Sequence, residues 1–329
     1  MTMLTIPTPT RTLPLQRTAA PWTRCNEAPR LTTTVPKEYV HRSSLAEVFL
    51  TGCDRLDDDT FHLTGQWPRA HTFFTSADGT SHDPVQAGET VRQAGLYLCH
   101  AVYGVPLGHN VLLWSLDFST RPDRLRIGRS PSELEMIATC TDFGWRGNRF
   151  SGFLEVDIHR GGELAATGTA RFSCVAPATY RRLRGGRGRI GATRPLDRRP
   201  PIPPAAAGRL LPFDVVLAAA DRPGRWQLNP DLEHPILFEH ANDHHPGMVL
   251  VEAARQAACG LHAPGTFTPT AVSTEFHHYA ELDTPCWIEA THLSPTHVEV
   301  TGHQEDRPVF RSTVTGTPHL SLIPTSAPT

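Results

Sequence analysis

The feature that most constrains this fold is an internal echo. Glu89-Thr-Val-Arg92-Gln93-Ala94 returns 163 residues later as Glu252-Ala-Ala-Arg255-Gln256-Ala257, and the same offset places His82 on His245. A repeat of that period means that one structural unit is built twice. Further upstream the register slips by a few residues, so that RAHTFF around His71 falls on FEHAND around His240. A chain of 329 residues is also too long for one ordinary core, and two bodies of roughly 130–150 residues are expected.

The boundaries follow from composition. Residues 1–35 are rich in Thr and Pro and read as a flexible arm. Residues 181–209 hold nine arginines among Gly and Pro with no apolar period, the signature of a linker or long loop. An N-terminal body at 36–180 and a C-terminal body at 210–320 remain, followed by a tail at 321–329.

Several function classes lose support at once. A net charge of −2 gives no general attraction to nucleic acid or to acidic membranes. No run approaches the roughly 18 apolar residues that span a bilayer, and the N-terminus lacks the apolar stretch of a signal peptide. The seven cysteines are scattered without a C-x-x-C pair, which fits reduced thiols in a cytoplasm and disfavours a zinc ribbon. HANDHH, from His240, matches no metal-binding frame, so no metal is expected. Without a G-x-S-x-G elbow, a Walker loop or a dinucleotide fingerprint, no cofactor is expected either.

Each repeated motif opens a helix. In the first, Asp83 serves as cap and Pro84 suits the first helical position; in the second, Asp243 or a neighbouring His caps ahead of Pro246. The second helix should stop between Gly260 and Pro264. Both helices are dense in Ala and Gly, which permits close approach by a surrounding layer. Segments such as LLWSLDF, FSGFLEVDI, CWIEATHL and THVEVTGH are short, β-branched or aromatic, and mostly alternating, as strands are. One helix with several antiparallel strands per body is an α+β unit in which a sheet wraps a buried helix.

Charged groups on such a helix need a reason. Glu252, Arg255 and Gln256 stand at i, i+3 and i+4 and share a face, as do Glu89, Arg92 and Gln93. They form an ion pair within the helix or across the two copies, or they serve a site. In the second reading a half-desolvated carboxylate has its pKa raised toward general acid/base use. The helix N-terminus, with Gly247 at its start, offers amides to a polarised carbonyl oxygen, and the arginine holds a phosphate or steadies the carboxylate. That combination suits acyl transfer from a thioester. His71 and His240 are candidates for a second acid/base group or a carbonyl orienter.

HHPGMVLVEAARQA, from His244, resembles the P-G-V-L-x-x-E-A-x-A-Q helix start of hot-dog β-hydroxyacyl-carrier dehydratases. His240 then lies near their catalytic histidine and Glu252 on their catalytic carboxylate. As a whole the chain resembles the A-factor synthase (AfsA-like) family of γ-butyrolactone autoregulator biosynthesis more closely. The resemblance is carried by VPKEYVHR from Val35, WPRAHTFF from Trp67, AGETVRQAGLYLCHAVYGVPLG from Ala87 and DHHPGMVLVEAARQA from Asp243. It implies a tandem hot-dog fold and an acyltransferase that joins a β-ketoacyl thioester on an acyl carrier protein to dihydroxyacetone phosphate, after which the ester closes to a butenolide. On that assignment Glu252 or Glu89 is the base, Gly247 lies at the oxyanion site, and Arg255 or Arg92, with Gln256 or Gln93 beside it, faces the phosphate. The first copy departs from the pattern with HDPVQAGE in place of Pro-Gly, which favours the C-terminal motif for catalysis. A hot-dog thioesterase, a dehydratase and a non-catalytic ligand-binding protein are the rival readings. Further self-association is left open.

Overall fold

The computed structural model describes residues 32–188, 191, 194–239 and 242–319. The N-terminal arm up to residue 31, His240 and the tail at 321–329 lie outside the described residues.

Alternating sequence makes the sheet. In β2 (Thr60–Trp67) every second residue, Phe61, Leu63, Gly65 and Trp67, turns inward and is buried. The first half contributes β1 (Leu50–Arg55), β2, β3 (Asn110–Thr120), β4 (Ser132–Arg146), β5 (Arg149–Arg160) and β6 (Glu163–Val175). The second contributes β7 (Leu217–Ala219), β8 (Arg225–Leu228), β9 (Thr266–Phe276), β10 (Cys286–Ser294), β11 (His297–Gln304) and β12 (Arg307–His319). All twelve join one antiparallel sheet.

Its order shows the duplication directly. Outward from the central β3–β9 pair the strands run β3-β6-β5-β4-β2-β1 on one side and β9-β12-β11-β10-β8-β7 on the other, the same connectivity twice. At the seam Asp117 faces Ser273, whose hydroxyl donates to its carboxylate at 2.5 Å. Ladder bonds therefore run unbroken from one half to the other, and a single hydrophobic core extends through both.

Each half closes on one helix. Helix α1 (Val85–Tyr97) packs on β1, β3, β5 and β6, and α3 (Gly247–Leu261) packs on β7 and β9–β12. Eleven residues of each helix are buried, so neither keeps the solvent-facing stripe of a surface helix. Small residues allow this approach. A Cβ on Gly88 would stand 2.6 Å from the Phe118 ring, and one on Gly260 would stand 2.9 Å from Trp226. Phe61, Phe118, Phe150 and Phe310 each stabilise the fold by about 1.5–3 kcal/mol through such burial.

The helix starts differ. Asp83 caps α1 as expected, accepting from the Val85 amide at 2.9 Å. The expectation of a cap at Asp243 fails: α3 has Pro246 at its cap position with no side-chain cap, and Asp243 is drawn instead to Tyr180 and Arg184. Both of these belong to α2 (Pro177–Arg184), a short helix that runs into the arginine-rich region, where Arg184 is buried. Among the described residues no helix is long and apolar enough to cross a membrane.

Candidate active site

The repeated acid lies at the centre of a closed charge cluster in each half. Glu89 is fully buried; Arg42 (3.0 Å), Arg92 (2.8 Å) and Gln93 (2.8 Å) all donate to its Oε1, and Arg92 Nε donates to Oε2. Glu252, equally buried, receives Arg209 on both oxygens at 2.8 and 2.6 Å, Arg255 on both at 2.9 and 3.0 Å, and Gln256 at 2.6 Å. Gln93 and Gln256 also clamp the preceding chain in the same way. One accepts from the Phe49 amide and donates to Glu47 O, and the other accepts from the Val216 amide and donates to Asp214 O.

These geometries reverse the electrostatic expectation. Burial pushes both carboxyls up, but the two guanidiniums on each outweigh it and hold Glu89 and Glu252 at about 2. The paired guanidiniums, and not the degree of burial, remove the raised pKa that the sequence suggested. Arg42 and Arg209 were not read from the sequence as the second cation of each cluster. The signal available was weak: one arginine in each half, 47 and 43 residues ahead of its glutamate.

His71 belongs to a second repeated device. Its Nδ1 accepts from the Phe73 and Phe74 amides at 3.1 and 3.0 Å, so Nε2 carries the proton and meets Glu47 at 3.1 Å. His234 does the same with the Ile236 and Leu237 amides and Asp214. His234 lies 163 residues after His71, so the counterpart of His71 is His234 and the upstream slip that pointed to His240 is not needed.

Between the halves lies a cavity of about 540 Å³. Arg42 and Arg92 reach its wall, whereas Glu89, Glu252, Arg255, Gln93, Gln256 and His71 do not. Val91, Leu96, Val111, Leu113 and Phe172 make an apolar side. The start of α3 contributes Pro246, Gly247 and Met248, together with Asp243 and His244. The Gly247 and Met248 amides have no acceptor among the described residues, as the first turn of a helix dictates. They present the positive end of a 15-residue helix to the cavity.

His244 lines the same cavity. Its Nδ1 donates to Asp243 Oδ1 at 2.7 Å, which leaves Nε2 as the basic nitrogen. Tyr180 (2.8 Å) and Arg184 (3.0 Å) also donate to Asp243. Burial pushes the Asp243 carboxyl up, but these three donors bring it well below its usual range. A charged, fixed carboxylate behind an imidazole is the arrangement of a general base with its orienter. From the sequence His244 is legible as part of a His-rich run and as a possible helix cap, not as a site residue.

The corresponding place in the first half is shut. Pro84 stands where α3 has Gly247 and lacks an amide hydrogen, and Asp83 stands where α3 has Pro246. The Asp83 carboxylate both caps α1 and lies 3.3 Å from Arg209. An internal anion thus occupies the helix start and engages the guanidinium.

A continuous antiparallel sheet that closes on one central helix in each half, with an acyl-sized cavity between the halves, defines a tandem hot-dog protein. The chain belongs to the A-factor biosynthesis hotdog domain family, whose model matches residues 23–176 and 192–319. It is 49% identical over 288 residues to the 2-oxo-3-(phosphooxy)propyl 3-oxoalkanoate synthase of Streptomyces virginiae, covering 85% of this chain and 96% of that one. A protein of the same name from Streptomyces coelicolor is 41% identical over 289 residues, covering 86% and 91%. Among solved structures, the 12:0-ACP thioesterase from Umbellularia californica is similar at a TM-score of 0.47 and 11% identity, covering 80% of this chain and 100% of that one.

Proposed function

We propose that this chain is an acyltransferase that joins a β-ketoacyl thioester to dihydroxyacetone phosphate, with its single reaction centre at the start of α3. The relatives' name describes the ester of a 3-oxo acid with the hydroxyl of that triose phosphate. The observation that carries the assignment to this site is the convergence of the His244–Asp243 pair and the open Gly247 and Met248 amides on one cavity that also has an arginine and an apolar wall.

The steps follow from the geometry. Nε2 of His244 takes the proton of the triose hydroxyl as its oxygen attacks the thioester carbonyl. The resulting oxyanion is received by the Gly247 and Met248 amides, with the α3 dipole behind them. The carbon–sulfur bond then breaks, and the thiolate takes the proton back from His244 to leave as a thiol. Arg92, whose side chain is 21% exposed and uses only Nε and Nη2 on its own cluster, offers its remaining edge to the phosphate. The acyl chain lies along Val91, Leu96, Leu113 and Phe172.

In this reading Glu89 positions Arg92, while Glu252, Arg255, Gln256, Gln93 and His71 hold the scaffold. The six described cysteines are unpaired, which suits a reducing cytoplasm. The test is thiol release from a β-ketoacyl thioester with and without dihydroxyacetone phosphate. Release that requires the triose phosphate and yields the phosphorylated ester is expected. Equal release without it makes the protein a thioesterase.

A further inference from the structure

We propose that the outer face of α2 docks an acidic protein that delivers the acyl thioester, an inference that rests on the acyltransferase reading above. Helix α2, PATYRRLR, has two faces of opposite character. Tyr180 and Arg184 turn inward and are buried, and Arg184 is neutralised by Asp243 and Glu281. Arg187, just beyond the helix, is likewise matched by Asp283. Arg181, Arg182 and Leu183 turn outward and are exposed, Leu183 by 60%. Neither Arg181 nor Arg182 has a carboxylate within ion-pair distance among the described residues. Two unmatched guanidiniums thus adjoin a leucine left in solvent, on a chain whose net charge is −2.

Apolar contact within a basic rim suits an acidic protein better than a free anion, because the charges steer and orient while the leucine supplies desolvated area. A nucleotide-bearing thioester would use the same guanidiniums for its phosphates but has no use for Leu183. Position is the second argument. Arg181 is exposed and also lines the cavity, as do Pro177 and Tyr180 of the same helix. Helix α2 therefore forms part of the cavity's rim, and a protein seated on its outer face brings a thioester on a flexible arm to the opening. The partner identified by this chemistry is an acidic acyl carrier.

The test uses the full chain with the double substitution Arg182→Glu and Leu183→Ser, both outside the cavity wall. One β-ketoacyl chain is offered on an acidic carrier protein, on pantetheine alone and on coenzyme A. The KM for the carrier thioester should rise about tenfold, with kcat unchanged. Wild-type KM for the carrier should also rise with ionic strength, while both constants for the pantetheine thioester stay fixed. An unchanged carrier KM overturns the proposal, as does an equal loss with the coenzyme A thioester or with pantetheine. Calorimetric binding of the carrier, measured without turnover, separates the two readings. Binding that depends on α2 but is followed by no triose-dependent thiol release sustains the docking face and sinks the acyltransferase assignment.

Discussion

A carboxylate enclosed by two guanidiniums and an amide has no proton to exchange near neutral pH, and this separates the residues that hold the molecule from those that act in it. Glu252→Gln leaves two buried guanidiniums, Arg209 and Arg255, to share the one remaining Asp83 carboxylate, a change that costs about 3–5 kcal/mol. Its melting temperature should fall accordingly. The acid dependence of the wild type has a definite sign. Because Glu89 and Glu252 are held at about 2 in the folded chain against an ordinary value of 4.5, their stabilisation is complete above 4.5 and is lost as pH falls toward 2. Urea unfolding at stepped pH should show stability constant just above pH 5 and declining below it; a flat profile down to pH 2 contradicts the clusters. At this scale the sequence disclosed the i, i+3, i+4 triads because they are local. Arg42 and Arg209 escaped it because their contacts to the same acids close over more than 40 residues.

The two long helices show how similar elements come to differ in chemistry. Both were legible from small residues and an N-terminal proline, the second also from its end near Gly260, and LLWSLDF and its kind were legible as strands from their alternation. The short strands β7 and β8 were not, since three or four residues carry too little periodicity to read. What decides function is the first turn. Pro246 has φ −59° and ψ 152°, a conformation compatible with a following proline, and a Cβ at Gly247 would meet only ordinary contacts at 3.5 Å. Gly247→Pro should therefore fold normally while removing one oxyanion donor and reproducing the closed start of α1. Its kcat should fall about 10²–10³-fold, read by steady-state kinetics beside an unchanged circular dichroism spectrum; wild-type turnover would refute the amide's role. Gly88→Ala, by contrast, drives a methyl into Phe118 and should destabilise by about 1–3 kcal/mol in thermal unfolding.

At the scale of the whole molecule, duplication built a sheet with two-fold connectivity, while the start of one central helix opens on a large crevice and the start of the other carries an internal carboxylate. The tandem architecture could be read from the repeat and the resemblance, whereas the crevice could not, because its walls come from α1, β3, β6, α2 and the α3 start, segments far apart in sequence. With Asp83 filling the first-half helix start, titration of the full chain with dihydroxyacetone phosphate should saturate at one equivalent per chain; two equal sites would contradict the closure. We place the chemistry at His244, on the cavity wall, and not at the buried glutamates. The most direct measurement is single-turnover acyl transfer to dihydroxyacetone phosphate by His244→Gln, with melting temperature recorded on the same sample. The rate should fall by about 10²–10⁴-fold at unchanged melting temperature. A His244→Gln protein that transfers at the wild-type rate, beside a Glu89→Gln or Glu252→Gln protein that is fully folded yet inactive, would contradict it.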